Sequence, residues 1–180
     1  MSGQGDAHMS HQDYDLLEKF FFTLEWLLAV TKRYTGQIRF SLVHIDFVNP
    51  RVLGDTYGAQ VASKKLDEAL HCLSKSFRKT DLVARDGFDF WVLVPYTATD
   101  GGLAEKVSSI IHIASQSGLQ IVERDISIFS LPFEAQKLDE NCSAAEFLAH
   151  LKKNHFAIAS HEISLPPGSN LSAIAGSRDL

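Results

Sequence analysis

Cysteine is nearly missing from this sequence: Cys72 and Cys142 are the two in 180 residues, and no CxxC or Cys/His spacing surrounds them. A disulfide framework and a structural zinc site are therefore not expected, and a reducing compartment fits. The eight histidines are scattered without an HExxH pair, so they suggest no metal site either. Blocks of basic residues are absent and the formal net charge is −5. Duplex nucleic acid as main partner needs a clustered positive field, and this chain has none. Long hydrophobic runs are lacking too. The longest, Phe20 to Val30 in "FFFTLEWLLAV", is interrupted by Glu25 and is too short to span a bilayer. It reads as a buried or partner-facing helix. Without a secretory signal or membrane anchor, no membrane insertion and a cytoplasmic location are expected.

What is present is enough apolar residue, 45%, for one good core. Residues 1–12 read as a tag-like, disordered leader whose His8-Met9 junction suggests Met9 as the native start. Residues 13–160 read as one domain and 161–180 as a tail. Asp13 to about Tyr34 has an acidic start, Lys32-Arg33 near its end and Gly36 beyond, the order a helix prefers. Ile38 to Phe47 reads as a strand, and Asp55 to about Phe77 as one helix. Thr99 to Ser117 reads as another helix, closed by Gly118, and Leu119 to Leu131 as a strand. Ser143 with Glu146 forms a capping box that opens a helix to about Lys153. Phe156 to Ala159 is expected as an edge strand.

Between these lies "DLVARDGFDFWVLVP", Asp81 to Pro95, two strands hinged at Asp86-Gly87, for which a type I′ turn is expected. Phe88, Phe90, Val92 and Val94 alternate with Asp89, Trp91, Leu93 and Pro95, so both faces are largely apolar and the strand belongs inside its sheet. Asp89 is the one carboxylate in that run. The element order contains a split βαβ core, which predicts an α/β three-layer sandwich with a mostly antiparallel central sheet and flanking helices.

Two stretches, "DFVNPRVLGDTYGA" (Asp46 to Ala59) and "RKTDLVARDGFDFW" (Arg78 to Trp91), carry motifs by which the chain, across roughly Ile38 to Lys153, resembles the bacterial GGDEF domains, the diguanylate cyclases, and so a nucleotidyl-cyclase-like fold. The family's strand motif Asp-x-Asp-x-Phe-Lys-x-x-Asn-Asp, continuing Thr-Tyr-Gly-His, is matched by "DFVNPRVLGDTYGA", Asp46 to Ala59. Arg-x-x-Asp, Leu-x-x-Arg-x and the signature Gly-Gly-Asp-Glu-Phe are matched without a gap by "RKTDLVARDGFDFW", Arg78 to Trp91. The resemblance implies that Asp46 and Asp89 stand at a magnesium site beside GTP, vestigial here, with no cofactor required. Two carboxylates on neighbouring strands suit a hard cation.

Five positions depart from the pattern. The signature Glu falls on Phe90, which neither coordinates nor moves a proton, and the second signature glycine falls on Phe88. Pro50 removes an N–H from the turn that cradles the triphosphate in relatives. Gly54 and Ser63 replace the amide and carboxylate that read guanine, while Arg51 keeps the charge of the phosphate-binding Lys. The Leu-Thr-x-Leu element before the first strand is replaced by "TLEWLLAVTKRY". No catalytic residue is therefore expected.

Arg78 and Asp81 keep the spacing of the family's inhibitory site for cyclic di-GMP, where Arg and Asp grip a guanine. The residues alone fit a loop salt bridge equally. In relatives a second arginine completes that site, and here the later helix offers Lys106. The resulting expectation is a silent GGDEF domain that binds cyclic di-GMP and signals to a protein partner or homodimer. Two alternatives stand beside it: an interaction domain built on Phe20, Phe21, Phe22 and Trp26, and a residual GTP-binding cyclase held by Asp46 and Asp89.

Overall fold

The computed structural model describes residues 9–95, 100–133 and 142–168. Five strands form one sheet: β1 (Phe40–Phe47), β2 (Leu82–Asp86), β3 (Asp89–Val94), β4 (Arg124–Leu131) and β5 (His161–Leu165). Their order is β2-β3-β1-β4-β5, and each neighbouring pair is antiparallel. β3 lies between β1 and β2, which is the expected split βαβ arrangement, and it is an inner strand as its two apolar faces required.

Alternation along the strands sends the core to both faces. Val43, Ile45, Phe47, Phe90, Val92, Ile126 and Ile128 meet the helices α2 (Arg51–Tyr57), α3 (Ala59–Ser76) and α4 (Asp100–Ser115). Phe40, Leu42, Trp91, Leu93, Phe129 and Leu131 meet α1 (His11–Arg33) and α5 (Ala144–Lys153). Helix, sheet, helix is the three-layer sandwich read from the sequence. A short α6 (His155–Ile158) joins α5 to β5.

The helix starts follow local chemistry. α1 is opened by a capping box in which Ser10 Oγ accepts from the Asp13 N–H and Asp13 returns the bond, two residues earlier than expected. α5 has the expected box at Ser143 and Glu146, and its first N–H, at Ala144, also donates to Glu25 Oε1 on α1 at 2.9 Å. That bond ties the two helices of one layer together.

Four expectations need correction. The single helix over Asp55–Phe77 is two helices that begin at Arg51 and break at Gly58, whose φ of +81° is open to glycine and ends α2. Leu119–Ile121 is a 3-10 turn after left-handed Gly118, and strand begins at Arg124. Phe156–Ala159 is not the edge strand: that stretch holds α6, and the edge is His161–Leu165, assigned to the tail. Ser160 N–H begins the pairing with Ile128 O at 2.7 Å, and Leu165 is fully buried. Finally, Asp86 pairs with Asp89, so the hairpin loop is Gly87-Phe88. Gly87 alone has positive φ (+63°), the type II′ pattern with glycine first. Thr99, the leader's first eight residues and the tail beyond Gly168 lie outside the described residues.

Candidate functional site

Register brings the two predicted carboxylates together. Asp46 on β1 is the direct cross-strand partner of Asp89 on β3. The same level continues on both sides, because Asp86 on β2 pairs with Asp89 and Asp125 on β4 pairs with Asp46. Four aspartates thus cross four strands on the face that carries α1 and α5. Like charges directly opposite destabilise a sheet, so this row needs positive or hydrogen-bonding partners.

Two arrive at Asp89. Lys152, on the last turn of α5, donates from Nζ to Oδ1 at 2.9 Å and Oδ2 at 2.8 Å. His44, two residues before Asp46 and so on the same face of β1, has Nε2 at 2.8 Å from Oδ1. Its ring stacks on Trp91, centroids 4.3 Å apart, which fixes its orientation. Burial pushes the Asp89 carboxyl up, but the hydrogen bonds and charges of His44 and Lys152 pull it down by more, leaving it below its ordinary value. Desolvation pushes Asp46 up, with His44 opposing and Asp89 adding to the rise; desolvation and then the charge of Asp89 likewise raise Asp86. Burial opposes the charge on Lys152, and the bonds and charge of Asp89 overcome it and raise its pKa. Among the described residues, no group of three or more His, Cys, Asp or Glu is arranged to hold a metal ion.

A pH dependence follows. A depressed carboxyl contributes stability above its unfolded value, about 3.9, and loses it as pH falls through the lower folded value. The raised Asp46 and Asp86 act oppositely, since the folded protein takes up those protons first as pH falls. Asp89→Asn should therefore cost about 1–2 kcal/mol at pH 7, and the gap from the parent should close below about pH 3.9. Urea unfolding across that range measures it; a gap that stays constant with pH would show that Asp89 contributes through packing alone.

The other predicted residues lie elsewhere. Phe90 is fully buried against Phe47, ring centroids 5.4 Å apart. Phe88 sits half-buried in the hairpin turn and packs on the same core. Asn49 takes a left-handed φ of +53° and Pro50 is the N-cap of α2, with Arg51 exposed behind it. Gly54 lies on α2 and Ser63 on α3.

Arg78 and Asp81 belong to the loop between α3 and β2, at the opposite end of β2 from the aspartate row. Asp81 Oδ2 accepts from the Arg78 N–H at 3.0 Å, while Asp81 N–H donates to Arg78 O at 3.0 Å. The carboxylate is thereby held by backbone, and among the described residues no ion pair joins it to the Arg78 guanidinium, which is exposed. The loop salt bridge is thus not formed. Lys106 on α4 lies over the ring of Phe77, the residue before Arg78 in the chain, with Nζ 4.5 Å from its centroid.

The family model for the diguanylate cyclase GGDEF domain matches residues 15–130. The chain belongs to the GGDEF domain family. Solved GGDEF domains share its fold. That of YfiN (TpbB) from Pseudomonas aeruginosa has 20% identity and a TM-score of 0.57, with 77% of this chain and 86% of that one covered. DgcB from Caulobacter crescentus, in complex with c-di-GMP, has 15% identity and a TM-score of 0.55, covering 76% and 81%. The diguanylate cyclase SiaD, in complex with its activator SiaC from Pseudomonas aeruginosa, has 17% identity and a TM-score of 0.52, covering 76% and 54%. Comparison with curated proteins gives no match. Among the described residues, no helix of this GGDEF domain is long and apolar enough to cross a membrane.

His44, Lys152, Asp86 and Asp125 are the site residues that motif reading missed. His44 was findable from period-two spacing once Asp46 was fixed, and Asp86 from the two-residue hairpin loop that makes it the partner of Asp89. Lys152 comes from a helix 63 residues beyond Asp89 and carries no local signal.

Proposed function

We propose that this GGDEF domain is a catalytically silent receptor that binds cyclic di-GMP at the Arg78–Asp81 loop and relays the bound state to a protein partner. The observation that carries the proposal is the geometry of that loop. The Asp81 carboxylate is oriented by a backbone N–H, the Arg78 guanidinium is exposed and unpaired with it, and Lys106 lies over the ring of the preceding residue, Phe77. A guanine edge offers O6 and N7 acceptors to an arginine and N1 and N2 hydrogens to a carboxylate. Two phosphates remain for the lysine. That DgcB, a related GGDEF protein, is found with c-di-GMP, and SiaD with a protein activator, supports a nucleotide ligand and a protein partner of the same kinds here.

Silence of the chemistry rests on the other end of the sheet. Phe90 has no proton to give, Phe88 fills the turn and Pro50 has no N–H. Lys152 supplies at Asp89 the positive charge that a divalent cation would bring, so no step is assigned to magnesium.

Calorimetry with cyclic di-GMP tests the proposal. Arg78→Ala should weaken binding by about 1–3 kcal/mol. Asp81→Ala should weaken it as well, and Asp89→Asn should leave it within error. No heat from the parent at high micromolar nucleotide, or undiminished binding by Arg78→Ala, would leave the interaction-domain reading in its place.

A further inference from the structure

The outer face of α1 carries two large apolar side chains in the open: Phe22 is 73% and Trp26 57% exposed. The four-aromatic patch expected from the sequence is divided, because Phe20 is buried in the core and Phe21 is half-buried. At 3.6 residues per turn, Asp15, Lys19, Phe22, Trp26, Ala29 and Arg33 share one stripe. That stripe lies opposite the buried one of Leu17, Phe20, Leu24 and Leu27. All six are exposed. The stripe is acidic near its start, aromatic at its middle and basic at its end.

We infer that this face pairs with the same face of a second copy, the two α1 helices running antiparallel about a twofold axis level with Leu24. In the register that sets Phe22 against Trp26 of the second copy, Asp15 meets Arg33 of the second copy at both ends of the pair, and Lys19 lies beside Ala29. The aromatic pairs form the centre and the ion pairs the rim, the usual anatomy of a self-complementary interface. Parallel helices would instead set Asp15 against Asp15 and Arg33 against Arg33, so charge selects the antiparallel pair. Existing contacts of the end charges are at the surface and exchangeable: Asp15 Oδ2 is 3.5 Å from exposed His11 Nδ1, and Arg33 lies 5.8 Å from the Tyr34 ring centroid. None of the six residues of this stripe is among those proposed to contact the nucleotide.

Sedimentation of the purified chain tests the pair. The parent should be dimeric at micromolar concentration. Phe22→Ser with Trp26→Ser should weaken association by about thirtyfold or more and leave the far-ultraviolet circular dichroism of the folded chain unchanged, because neither ring is in the core. Asp15→Arg and Arg33→Asp should each weaken it several-fold, and a mixture of the two single variants should associate again, since both rim pairs are then restored in the mixed dimer. A monomeric parent at high micromolar concentration, or a serine variant that dimerises like the parent, refutes the interface. Unchanged association of Asp15→Arg, or no recovery on mixing, refutes the antiparallel register.

Discussion

Phe90→Glu, which restores the acid of the family signature, should unfold this domain and yield no cyclase. The position has become core. Phe90 is fully buried on β3, packed against Phe47 on β1 within the cluster that joins the sheet to α2, α3 and α4. Deleting a buried phenylalanine costs about 3–5 kcal/mol, and a carboxylate placed there adds several kcal/mol more or titrates to its neutral form. The total reaches the stability of a typical domain, about 5–15 kcal/mol. Circular dichroism and chemical unfolding should show a largely unfolded chain at 25 °C, and chromatography of GTP incubations should show no product from the variant or the parent. A folded Phe90→Glu protein that turns over GTP would show that the pocket survives and that one side chain silences it. The conservative Phe90→Leu should fold, which separates loss of volume from introduction of charge.

The same residue shows what the sequence made legible. Strict alternation through Phe88 to Pro95 placed Asp89 and Trp91 on one face and Phe90 and Val92 on the other, and the gapless motifs predicted that Asp46 and Asp89 would meet on neighbouring strands. They are direct partners. Helical periodicity was misleading at Gly58, because apolar spacing through Val61, Leu66, Leu70 and Leu73 carries no mark of where the helix must start, whereas backbone conformation does. The edge strand was missed for a related reason: in "HEISL" the outer positions face solvent, so hydrophobic pattern is weak and pairing with β4 decides. At the site, strand neighbours followed from register, but Lys152 did not. Its role depends on α5 docking over the end of β1 and β3, which is set by Phe147, Leu148 and Leu151 packing on the sheet together with α1. Tertiary packing chose that partner.

Asp67→Ala should be the most damaging single change outside the apolar core, and removing a second charge should relieve it. Arg85 on β2 is fully buried, and its guanidinium lies 3.3 Å from Asp67 Oδ1 on α3. A buried cation stripped of its counter-ion costs about 3–5 kcal/mol, because desolvation is no longer offset; the cost here falls near about 3 kcal/mol, since Asp67 itself is partly exposed and Arg85 keeps other contacts. Arg85→Met removes the charge while filling similar volume, so the double variant Asp67→Ala/Arg85→Met should be more stable than Asp67→Ala alone, by about 1–2 kcal/mol. Guanidinium unfolding of the four proteins measures the coupling; a double variant less stable than either single one would show that Arg85 is held by packing and hydrogen bonds without regard to Asp67. The pair also has a place in function. It clamps α3 to β2, the two elements between which the Phe77–Asp81 loop is strung, so Asp67→Ala should weaken cyclic di-GMP binding without touching a residue proposed to contact the nucleotide. Binding that is unchanged in a folded Asp67→Ala protein would mean that the Asp81–Arg78 backbone bonds hold the loop by themselves.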